Sequence, residues 1–104
     1  MENNKYIIKY LSTFIEDLDE IIEYFILKLK NNNAANVILN KVEDAILERS
    51  KSPLSFEKYY STRERKYPYY KIFVGNYIIY YVVINNIMEI RSIVYGKRNV
   101  WKIV

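Results

Sequence analysis

Residues Tyr69 to Tyr95 read YYKIFVGNYIIYYVVINNIMEIRSIVY, three apolar runs separated by two polar pairs. The runs, Tyr69 to Val74, Tyr77 to Ile84 and Ile87 to Tyr95, are dominated by β-branched and aromatic side chains, which pack well on a pleated surface. The junctions Gly75-Asn76 and Asn85-Asn86 consist of residues that tolerate the positive φ values of tight hairpins. The stretch therefore predicts a β-meander.

Upstream of it the period changes. Phe14, Leu18, Ile22 with Ile21, Phe25 and Leu29 recur every three or four residues, the stripe of one buried helix face. Thr13-Phe14-Ile15-Glu16 has the spacing of a capping box, so this helix is expected to start at Thr13 and run to about Lys30. Asn31-Asn32-Asn33 supplies a left-handed turn and a cap. A second stripe, Ala35, Ile38, Leu39, Val42, Ala45 and Ile46, ends before Ser52-Pro53. Lys5 to Leu11 reads as a first strand that joins the sheet at an edge or beside the meander's third strand. Residues 51 to 66 lack a period and read as a loop. The order β-α-α-β-β-β predicts a single α+β domain over residues 1 to 104, an antiparallel sheet with an N-terminal helix hairpin packed on one face.

With 104 residues, 51% hydrophobic and 27% charged, the chain has enough apolar material for one core. Cysteine and histidine are both absent, which excludes disulfides, thiolate chemistry, imidazole catalysis and the commonest metal ligands. No metal or cofactor is expected. The start, Met-Glu-Asn-Asn-Lys, resembles neither a signal peptide nor a membrane span, so a cytoplasmic location is expected.

Charge is unevenly placed. Residues 1 to 50 hold six Lys/Arg and nine Asp/Glu, a net of −3, whereas residues 51 to 104 hold ten and three, a net of +7. A basic C-terminal half suits a nucleic-acid or other acidic partner, or simply a solvated lysine-biased surface. Arg63, Arg65 and Lys66 interleave with Tyr59, Tyr60 and Tyr67, a pattern able to grip phosphates and stack bases, or to pack rings on the sheet with the charges in water. Arg91 shares a strand face with Glu89, within diagonal reach of a surface ion pair. Glu16, Asp17, Asp19, Glu20 and Glu23 fall at the start of a helix, where carboxylates complement the dipole on a solvated face.

The ordered set as a whole resembles the RelE/ParE family. The hairpin Tyr69 to Val83 is similar to that family's central hairpin, and Ile90-Arg91-Ser92-Ile93-Val94-Tyr95-Gly96-Lys97-Arg98-Asn99 to its final strand, where an Arg leads through apolar residues to Gly and basic residues. The resemblance implies a toxin of a type II toxin-antitoxin module, neutralised by a cognate antitoxin protein in a hetero-oligomer and without membrane association. Its target would be DNA gyrase for a ParE-type protein, or ribosome-bound messenger RNA for a RelE-type ribonuclease acting without metal. By the same resemblance Lys71 and Arg98 fall on basic positions that serve catalysis in RNA-cleaving members. Arg63, Arg65, Lys66, Arg91, Lys97 and Arg98 are the wider candidates for target or nucleic-acid binding. Phe73 and Ile78 stand where those members carry a further Lys and an Arg, and Val104 ends the chain where a Tyr is expected. These departures, with the long helix hairpin, lean toward the ParE type.

Overall fold

The computed structural model describes residues 6–60 and 66–96. Strand β1 (Ile7–Tyr10) leads into helix α1 (Ser12–Glu23), which continues as a π-helical segment (Tyr24–Lys28). Helix α2 (Asn32–Arg49) returns antiparallel to it, and the meander follows as β2 (Tyr70–Val74), β3 (Tyr77–Ile84) and β4 (Ile87–Tyr95). The sheet order is β1-β4-β3-β2. Both hairpin junctions fall as expected, with Gly75 and Asn85 each at φ 57.

The sheet is mixed, not purely antiparallel, because β1 lies at an edge and runs parallel to β4. Parallel neighbours need a long crossover, and here the helix hairpin together with β2 and β3 provides it. Two local expectations also change. The Thr13 capping box does not form: the chain passes from β1 through Leu11 straight into α1, Leu11 has no side-chain cap bond, and Thr13 Oγ1 donates instead to the carbonyl of Arg91 at 2.7 Å. In the interhelical turn the left-handed residue is Lys30 (φ 53), one position before the asparagines, and Asn31 caps α2 by accepting from the Ala34 N–H at 3.0 Å. A helix's left-handed closing residue sits immediately past its last turn, and the π-helical segment brings that point to Lys30.

Phe14 from α1 and Val42 and Ile46 from α2 pack on the sheet with Tyr70, Ile72, Ile79, Tyr81, Met88, Ile90 and Ile93. Fully burying a side chain of this size contributes about 1.5–3 kcal/mol, so the few helix residues at this layer hold the hairpin on the sheet. The opposite sheet face is covered too. Tyr69, Ile78, Tyr80, Val82 and Val94 form a smaller cluster, overlaid by Tyr59 and Tyr67. Tyr59 is held there by reciprocal main-chain bonds with Tyr69, 2.8 and 2.6 Å. Strand β3 is thus buried on both faces, which accounts for its unbroken apolar run.

Candidate functional site

The far face of the sheet, away from the helices, gathers the chemistry. Its geometry turns on an irregularity in β4. Tyr80 pairs with Ser92 but Tyr81 pairs with Ile90, so Arg91 is an extra residue, a β-bulge. Before it Met88 and Ile90 face the helices, and after it Ile93 does, a spacing of three where a regular strand has two. Arg91 and Ser92 are thereby set side by side along the far face.

A bulge leaves main-chain groups out of the ladder, and side chains of α1 meet two of them. Thr13 donates to the Arg91 carbonyl, and one turn later Asp17 Oδ2 accepts from the Ile93 N–H at 3.4 Å. Asp17 therefore leaves the solvated acidic face to which its sequence position assigned it.

The Arg91 guanidinium donates through Nε to Glu89 Oε1 at 3.0 Å, places NH2 2.8 Å from the same oxygen, and donates through NH1 to the Tyr69 hydroxyl at 3.2 Å. Partial burial works against its charge, but the bonds to Tyr69 and Glu89 outweigh that cost, and its pKa lies above the ordinary arginine value. Lys9 approaches Glu89 Oε2 from β1 at 4.0 Å. Arg91 is thus a neutralised, oriented group.

Lys71 is differently placed. Its ammonium lies 4.0 Å from the ring centroid of Tyr59 and 5.9 Å from that of Tyr80, with no carboxylate in ion-pair range among the described residues. Lys66 lies 5.7 Å from the Tyr67 ring. The structure therefore brings Lys71 and Arg91 to one face on either side of the Tyr69–Tyr80 pair, whose rings meet edge to face at 6.3 Å. Arg63, Arg65, Lys97 and Arg98 lie outside the described residues.

Arg49 contributes to the structure with no sequence signal as such. Arg49, at the end of α2, donates through NH1 to the Lys71 carbonyl at 3.0 Å and the Tyr81 hydroxyl at 2.9 Å, while its guanidinium stacks 3.5 Å from the Phe56 ring centroid. Tyr81 in turn donates to the Pro53 carbonyl at 2.8 Å. Burial raises the Tyr81 pKa and the Arg49 cation opposes the rise. These contacts fasten the segment following α2, which ends at the Tyr59 cover. On the helix side, Tyr10, Phe14, Ile15, Leu18, Leu39, Val42, Glu43 and Ile46 line an open, largely apolar groove of about 230 Å³.

A helix hairpin laid across a β1-β4-β3-β2 sheet is the architecture of RelE/ParE superfamily toxins. One solved structure with this fold, titled "Chromosomal ParDE TA system from P. aeruginosa", is 10% identical, with a TM-score of 0.71, covering 91% of this chain and 100% of that one. The family model described as "ParE toxin of type II toxin-antitoxin system, parDE" matches residues 8–100, so the chain belongs to the ParE toxin family. Comparison with curated protein sequences gives no match. Membership makes the chain a type II toxin whose family implies a cognate antitoxin. No helix among the described residues is long and apolar enough to cross a membrane.

Proposed function

We propose that the protein arrests growth by inhibiting DNA gyrase and is neutralised by an antitoxin that docks in the groove between α1 and α2. The observation that carries the gyrase reading is the composition of the far face. Transesterification of RNA without a metal needs a proton acceptor, a donor and cations beside the phosphate. Here Arg91 is already neutralised by Glu89, Phe73 is exposed, and Ile78 is buried against apolar neighbours. Such a face suits binding better than phosphoryl transfer. The groove supports the antitoxin assignment because its apolar lining accepts the apolar side of an amphipathic helix.

The test is gyrase supercoiling with purified toxin, where the expected results are inhibition or trapped cleaved DNA, relieved by the antitoxin. Normal supercoiling at saturating toxin removes the reading. A second reading, a ribosome-dependent messenger RNA endonuclease, is favoured by Lys71, which has no ion-pair partner among the described residues. Cutting of ribosome-bound message at codons, lost on Lys71→Ala, would select it.

A further inference from the structure

We propose that the edge of the far face is a platform for single-stranded nucleic acid, with Phe73 stacking a base and Lys71 holding the adjacent phosphate. This goes beyond the gyrase reading and does not depend on it.

Two rows of cross-strand partners carry the inference. In the first, Lys71 pairs with Tyr80 and Tyr80 with Ser92. Tyr80 is fully buried and Ser92 is 8% exposed, yet neither hydroxyl has a hydrogen-bond partner among the described residues. An ammonium and two hydroxyls thus stand in line without a carboxylate among them, so the row lacks negative charge. An anionic oxygen beside Lys71 answers that deficit electrostatically, whether or not it touches the buried hydroxyls.

In the second row Phe73 pairs with Ile78, and Ile78 with Val94. Ile78 and Val94 are buried, but Phe73 is 66% exposed, the highest exposure among the large apolar side chains of the described residues. An aromatic ring this open on an edge strand retains its full face for a planar partner. Lys71 and Phe73 lie two residues apart on the same side of β2, about 7 Å along an extended strand. That is about one step of an extended nucleotide chain, so one nucleotide's base and its neighbour's phosphate can be met together. The alternation of a cation with a flat apolar surface matches a nucleotide better than an acidic peptide, whose charge carries no obligatory ring. An unpaired base is needed, because in a duplex both faces of every interior base are already stacked.

The experiment is fluorescence anisotropy of the full-length toxin, separated from its antitoxin, with short labelled oligonucleotides across a salt series. Single-stranded DNA and RNA are run in parallel, with the same sequence as a duplex. Single strands are expected to bind more tightly than duplex, and the ratio of DNA to RNA affinity identifies the natural source. Phe73→Ala is expected to weaken single-strand binding about tenfold, and Phe73→Trp to preserve it. Lys71→Gln is expected to reduce the slope of log affinity against log salt by about 0.7, the value for one phosphate contact on a single strand. Phe73 is exposed and Lys71 half-buried, and an unchanged thermal midpoint verifies that each variant is folded. The proposal is overturned if Phe73→Ala binds like the parent, if duplex binds as tightly as single strands, or if an acidic peptide displaces the oligonucleotide at equal concentration. A gyrase result of either kind leaves these outcomes unaltered.

Discussion

Tyr80 and Tyr81 are consecutive, both fully buried, and on opposite faces of β3, so they differ chiefly in what their hydroxyls meet. The Tyr81 hydroxyl accepts from the Arg49 guanidinium and donates to the Pro53 carbonyl. The Tyr80 hydroxyl has no hydrogen-bond partner among the described residues. Tyr81→Phe removes one charge-assisted and one neutral hydrogen bond and leaves the Pro53 carbonyl short of a donor, a loss of about 2–4 kcal/mol. Tyr80→Phe deletes a group that has lost its water without gaining a partner among the described residues. Its stability is expected to be unchanged or to rise by up to about 1 kcal/mol. For a domain of this size 1 kcal/mol corresponds to about 4–8 °C, so Tyr81→Phe should melt at least about 8 °C lower while Tyr80→Phe melts with the parent or above it. Urea unfolding followed by circular dichroism measures both, with equal m-values required for the comparison. Tyr81→Phe should also speed tryptic cleavage after Lys51 and Lys58, because Tyr81 fastens that segment at Pro53. Equal destabilisation by the two substitutions would refute the reasoning.

Alkaline unfolding follows from the same rings. Burial raises the pKa of Tyr70, Tyr77, Tyr80 and Tyr81 above the ordinary tyrosine value of 10.0, so each contributes stability that is complete below pH 10.0 and is lost as pH rises through the folded value. Stability measured by urea unfolding should accordingly fall as pH rises above about 10, and a stability that does not change with pH in that range would contradict this. Thr13→Val should cost about 1 kcal/mol by leaving the bulge carbonyl unpaired and should accelerate amide exchange at Ser92 and Ile93; unchanged exchange would separate Thr13 from the bulge. Ile15, which lines the helix-side groove and is 48% exposed, can be changed to Arg with little effect on the fold. Affinity for the antitoxin, measured by calorimetry, should fall at least about tenfold, the equivalent of 1.4 kcal/mol, and unaltered affinity would move the docking site elsewhere.

The elements legible in the sequence were those set by local rules. Gly75 and Asn85 announce the hairpins because few other residues adopt their φ, and the 3.6-residue stripe of Phe14, Leu18 and Ile21 needs no knowledge of its partner. Thr13 shows where local rules fail. Its spacing to Glu16 satisfies a helix-start pattern, but a carbonyl 78 residues away competes for the hydroxyl and wins, because the bulge would otherwise leave that carbonyl without its ladder partner. The bulge itself left a trace that a strict period-two reading passes over: Met88 and Ile90 are followed by Ile93, not by an apolar residue at 92.

The candidate site was legible in composition but not in valence. A count of +7 over the C-terminal half treats every Lys and Arg there as equally able to meet an anion. The fold divides them. Glu89 sits two residues before Arg91, which the strand's period of two places on the same face, so this guanidinium is occupied by its own strand and by Tyr69. Among the described residues Lys71 has aromatic faces beside it and no carboxylate in ion-pair range, and such faces stabilise a cation without neutralising it. Electrostatic attraction for a polyanion depends on charge left uncompensated at the surface. Of these two residues, Lys71 retains that attraction, and Arg91 instead helps to fix the shape of the face on which Lys71 stands.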